Sequence, residues 1–169
     1  CLFLLRKHTD LSFSVMFGIG HGGSEAKRVG GVSAISNLVF SLQYNSGALA
    51  GNSAAETAGN SLAAMIPGLF FVSGIERLIA VCLHIALSVL VFLAVQRAGR
   101  LWLYPAAILL HAGADVFAAL YQKGVLTNVW LVELFVALAT AAIGWFAWRL
   151  YRADRPDAPE GPVDAAEDA

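Results

Sequence analysis

Three long apolar stretches, parted by very short polar gaps, constrain this chain more than any other feature. Residues 73–95, 101–121 and 127–148 are interrupted by charged, imidazole or amide side chains only at Glu76, Arg77, His84, His111, Asp115, Asn128 and Glu133. Each stretch has about the twenty residues that a helix needs to cross the hydrocarbon core of a bilayer. The gaps, 96–100 and 122–126, are so short that successive helices must run antiparallel and pack together. Gly99 and Gly124 supply the breaks. Composition agrees: 58% of the chain is hydrophobic and 14% charged, against about 45–50% and 25% for soluble domains. The fold expected is all-α, a polytopic transmembrane helical bundle with the lipid bilayer as its main partner. Nothing suggests nucleic-acid binding.

The earlier part is less regular. Residues 11–43 read as one long helix, or two joined near Gly30-Gly31, rich in the Gly and Ser that permit close packing in membranes. Residues 45–61 are small and polar and read as a loop. Residues 62–71 read as a short apolar piece broken by Pro67, of interfacial or re-entrant type. The expected division is a transmembrane domain over 1–152 and a disordered, acidic cytoplasmic tail over 153–169, which holds six of the twelve acids. The opening Cys-Leu-Phe-Leu-Leu resembles the end of a preceding helix, so upstream sequence is expected to be missing. Cys1 and Cys82 do not suggest a disulfide framework, and Cys82 reads as a small buried apolar side chain.

Lys and Arg set the orientation. If the helix from Leu11 runs outward from the cytoplasm, Arg6, Lys7, Arg97, Arg100, Arg149, Arg152 and Arg155 lie inside and Lys123 lies outside, seven against one. The C-terminus is then cytoplasmic. Trp102, Trp130, Trp145 and Trp148 fall near the boundaries, where aromatic belts form.

An ionisable side chain at membrane depth costs several kcal/mol unless paired, and is a site hypothesis by default. His21 and Glu25 stand four apart, in line with Phe17 and Arg28. Arg77 and His84 stand seven apart, with Glu76 beside their stripe. His111 and Asp115 stand four apart, sharing a face with Tyr104 and Gln122. These spacings project from one side of a helix, so three spans each offer a polar face. One membrane histidine is more often a packing residue than a ligand, but three, each near a carboxylate, favour a site. His84 and His111 lie halfway along neighbouring antiparallel spans and can meet on one metal. Imidazole and carboxylate suit Zn²⁺, and a catalytic zinc takes three ligands with one position open. Glu25 and Glu76 are the candidate carboxylates for accepting a proton from water, and Asp115 can orient an imidazole. Glu76-Arg77 also reads as an intramembrane ion pair. Glu133 reads as a lone acid at the outer boundary, Glu56 as a solvated loop acid and His8 as a juxtamembrane residue. The glycines at 18, 20, 22 and 23 follow no strand and are not a nucleotide fingerprint.

The blocks FGIGHGGSEA (17–26), ERLIAVCLHIALSVLV (76–91) and HAGAD (111–115) resemble the YhfC family of intramembrane metalloproteases. That family is related to a wider set containing the CAAX prenyl endopeptidases, the PrsW proteases and the scaffold subunit of γ-secretase. Phe17-x-x-x-His21 is similar to the FxxxH motif of the prenyl endopeptidases, and His111-x-x-x-Asp115 to their last motif. The resemblance implies a metal held by His21, His84 and His111, with Glu25 a close alternative to His21, and Asp115 and Arg77 in support. It implies zinc, a membrane-protein or membrane-proximal peptide substrate, and a bacterial plasma membrane. Relatives also carry a Glu-Glu-x-x-x-Arg motif on an earlier helix, which this sequence lacks; that helix is expected upstream of Cys1, and the chain alone is expected to be inactive. The rival readings are a non-catalytic membrane scaffold and a transporter or proton relay. The sequence leaves oligomeric state open.

Overall fold

The computed structural model describes residues 10–153. Helix α1 (Leu11–Ala26) runs through a π-helical turn (Lys27–Gly31) into α2 (Val32–Asn45). Then come α3 (Ser53–Ala63), α4 (Pro67–Gln96), α5 (Leu103–Gln122) and α6 (Val129–Ala153). Among the described residues there is no strand. Three of these helices, α4, α5 and α6, are long and apolar enough to cross a membrane. The expectations for Cys1, Arg6, Lys7 and His8, and for the tail from residue 154 on, lie outside the described residues. Ala153 itself closes α6.

Two expectations about the first half need correction. The polar stretch 45–61 is not all loop, because Asn52 starts α3: its side-chain oxygen accepts from the backbone of Ala54 and Ala55, both at 3.1 Å. Asparagine at this position satisfies amides that the first helical turn leaves unpaired, and the alanines that follow favour helix. Nor does Pro67 interrupt a separate short segment. It occupies the first turn of the 30-residue α4, where its missing N–H is no loss. The π-helical turn falls at the Gly30-Gly31 joint, so the chain bends the regular ladder there without breaking the helix. Gly99 and Gly124 take φ of 84° and 72°, left-handed values that close the turns on either side of α5.

Helix α4 is the hub, packing against α1, α5 and α6. Its second half supplies most of the core: Leu83, Ala86, Leu87, Leu90, Val91, Phe92, Leu93 and Ala94, closed by Leu103 and Ala107 of α5 and Ile143 and Ala147 of α6. Leu90 is fully enclosed. Elsewhere large apolar side chains such as Leu38, Leu78, Leu109 and Leu138 point outward, as they do where lipid is the solvent. Cys82 is a correction of the same kind: it is exposed on α4, because an apolar run in a spanning helix can face lipid as readily as protein.

The α1–α4 contact depends on small residues. Ser14, Gly18 and Gly22, one turn apart, are the buried positions of α1. A Cβ at Gly18 would lie 2.5 Å from Ile85 Cα, and one at Gly22 would lie 3.0 Å from both Val81 Cα and His84 Cβ. This small-xxx-small seam brings the two backbones together. Further along, the stem of Arg77 lies over Gly30.

Candidate metal centre

The seam decides where the first histidine sits. Because α1 lies flush against α4 at Gly22, the side chains one position before and three after it, His21 and Glu25, flank His84. Glu25 Oε2 is 3.0 Å from His84 Nε2, and the rings of His21 and His84 have centroids 5.0 Å apart. One ligand atom from each of His21, Glu25 and His84 lies within 4.8 Å of the others. Phe17 stacks along His21, with centroids 6.2 Å apart and planes 12° from parallel. On the other side α5 brings His111 against His84, outside that close group of three, with its Nε2 3.1 Å from His84 Nε2.

Each of these two rings is held by its other nitrogen. His84 Nδ1 is 2.7 Å from the carbonyl oxygen of Ala80, and His111 Nδ1 is 2.9 Å from Asp115 Oδ2. A carbonyl only accepts, so His84 carries a proton on Nδ1, and a carboxylate asks the same of His111. In the neutral rings both Nε2 atoms then present lone pairs to each other. Two facing lone pairs repel, and the contact becomes favourable when a cation stands against both. Two nitrogens bound tetrahedrally to one zinc at about 2.0–2.1 Å are separated by about 3.3 Å, close to the spacing found. The donor set, three imidazoles and a carboxylate, suits zinc. The partners at Nδ1 fix ring orientation as supporting groups around metal-bound histidines do. His84 is buried, His111 and Glu25 are partly covered, and His21 is exposed among the described residues.

Two cavities meet at the cluster. One, of about 470 Å³, is lined by Phe17, His21, Leu87, Val91, Tyr104 and Ile108 among others, and reaches His84, His111 and Asp115. The second, of about 330 Å³, also reaches His84, His111 and Asp115, together with Glu25, Glu76, Arg77 and Glu133. Glu76 and Arg77 are ion-paired. Of the residues singled out in the sequence, the structure thus brings His21, Glu25, His84, His111 and Asp115 into direct contact, and sets Glu76 and Arg77 in the wall of the adjoining cavity. Arg28, in the π-helical turn, lines neither. Glu133 is not a lone acid: it shares a cavity with the cluster, and its Oε2 is buried without a hydrogen-bond partner. The signal for it was the spacing of Val129, Val132, Glu133 and Val136, which puts the acid on the inward stripe of α6. The carbonyl of Ala80, which holds His84, has no signature in side-chain identity.

A family model described as YhfC intramembrane metalloprotease matches residues 1–136. The chain is 35% identical over 149 residues to the uncharacterized membrane protein YhfC of Bacillus subtilis (strain 168), an alignment covering 82% of this chain and 56% of that protein. The chain therefore spans little more than half the length of this relative. No solved structure matches. The family match takes in the seven residues from His21 to Asp115 that build the cluster and the wall beside it, and the chain belongs to the YhfC intramembrane metalloprotease family.

Proposed function

We propose that this chain is the ligand-bearing part of an intramembrane zinc-dependent endopeptidase that cuts membrane proteins or membrane-proximal peptides. The observation that carries the reading is the pair of Nε2 atoms of His84 and His111, 3.1 Å apart with both rings anchored through Nδ1. In this reading His84 and His111 hold the metal with His21 as third ligand. A zinc ion there supplies Lewis-acid polarisation of a carbonyl and lowers the pKa of water to about 7. Glu25 Oε2, beside His84, takes up the proton from the attacking water and hands it to the leaving amine. Asp115 keeps the His111 ring turned towards the metal. Glu76 is the second candidate for the proton-accepting role, and its pairing with Arg77 favours Glu25 over it. The activity is proposed for the whole protein.

The test is zinc content measured beside cleavage of a membrane-protein substrate, on the purified full-length protein. Wild type should hold one zinc per chain, and His84→Ala and His111→Ala should lose both metal and cleavage. Glu25→Gln should keep the metal while cleavage falls by about 10²–10⁴-fold. Glu56→Gln, on α3 away from the cluster, should match wild type. A well-folded wild type that binds no divalent metal and cleaves nothing would refute the enzyme reading. One observation favours a second reading: Asp115, His111, His84 and Glu25 form an unbroken chain of contacts, which is also what a proton relay needs. In that case Glu25→Gln would abolish proton flux in sealed vesicles with no metal to lose.

A further inference from the structure

The two cavities beside the cluster have opposite chemistry and lie on opposite sides of it. Along α4, the larger is lined from His84 onward to Leu87, Ser88 and Val91, and the smaller from Val72 up to His84. Along α5 the same division holds: Tyr104, Ala107 and Ile108 line the larger, and Ala118, Tyr121 and Gln122 the smaller. Both reach His84, His111 and Asp115, so the cluster is the wall between them. The larger chamber is apolar beyond the cluster, apart from the hydroxyls of Ser88 and Tyr104. Its 470 Å³ is in the range of about 300–1,000 Å³ that holds a small organic ligand, and so admits more than one side chain.

The smaller chamber carries four carboxylates, Glu25, Glu76, Asp115 and Glu133, against one guanidinium, Arg77. Three of the four lie against a nitrogen of a neighbouring side chain: Glu76 against Arg77, Glu25 against His84 and Asp115 against His111. Glu133 is the exception, with Oε2 buried and unpartnered. A buried carboxylate oxygen without a partner calls for a donor, and a cation satisfies it best.

We propose that the site selects peptides that are apolar on one side of the cluster and carry a basic side chain on the other. The apolar residues fill the chamber of Leu87, Val91 and Ile108, and the basic residue pairs with Glu133. Such a sequence occurs where a membrane-spanning segment meets its basic flank, so the preferred substrate is a membrane protein cut near its boundary. The inference rests on the proposed function for the cutting step, but not for the binding step.

The experiment measures both separately. Fluorescent peptides with an apolar run and a single Lys, in both sequence orders, and matched peptides with Glu for Lys or Ser for the apolar run, are titrated against metal-free full-length protein by anisotropy. One Lys order should bind about tenfold tighter than its Glu counterpart. Glu133→Gln should cut that preference to about threefold or less, and Ala112→Phe, at a residue that lines the apolar chamber and not the acidic one, should weaken every apolar peptide while leaving the Lys-to-Glu ratio unchanged. Equal binding of Lys and Glu peptides, or no effect of Ala112→Phe, would overturn the proposal. Zinc is then restored and cleavage followed. Polarised binding without cleavage leaves this inference standing and removes the protease reading; cleavage without polarised binding does the reverse.

Discussion

Among single residues His84 is the most closely surrounded, since both ring nitrogens have polar neighbours: Nδ1 bonds the carbonyl of Ala80, and Nε2 faces Glu25 and His111. His111 differs in that its anchor is a side chain. Asp115→Asn should therefore lower metal affinity or activity by about 10–100-fold without abolishing it, the usual range for losing a partner of a ligand. Zinc affinity measured by competition with a chelator checks this, and an unchanged affinity would mean that Asp115 does not orient the ring. The pairing of side chains at this scale was legible in the sequence because spacing alone puts His21 with Glu25 and His111 with Asp115. The role of Ala80 was not, because a backbone carbonyl bonds without regard to the side chain it carries.

For the elements, the α1–α4 seam is the feature with most influence on the site. Gly18→Ala and Gly22→Ala place a methyl against backbone or His84, while Gly20 and Gly23 have open space around them. The first two should cost about 1–3 kcal/mol, the range for overpacking a tight contact, and should weaken metal binding by moving α1 outward. Gly20→Ala and Gly23→Ala should do neither. Thermal unfolding in detergent with parallel zinc measurement distinguishes the pairs, and four equivalent variants would refute the seam. The sequence shows that Gly and Ser are plentiful here; it does not show which glycines face α4, because alternating Gly18, Gly20 and Gly22 fit two faces equally. The long apolar helices were readable from length and hydropathy. Helix α3 was not, since its short polar residues are compatible with a loop until Asn52 is seen to close its first turn.

In the whole molecule, the hub arrangement around α4 fixes which ends share a side of the membrane, and the basic residues propose which side that is. We expect the turn holding Arg97 and Arg100 to be cytoplasmic and α3 to lie outside. Single cysteines introduced at Arg100 and at Glu56, in a background with Cys1 and Cys82 replaced by Ser, should label with an impermeant maleimide on intact cells only at position 56; labelling at position 100 alone would invert the orientation. The hub arrangement also has a consequence in time. The groups that meet at His84 are made in the order 21, 84, 111, and at about 5–20 residues per second the ninety positions from first to last take roughly 5–20 s to synthesise. Until α4 is made the half-site of α1 has no partner, and until α5 is inserted His84 has no His111 beside it. The cluster is therefore completed in two steps, His21 and Glu25 meeting His84 first and His111 joining last, and a ribosome stalled before α5 would hold a nascent chain with only the first of them.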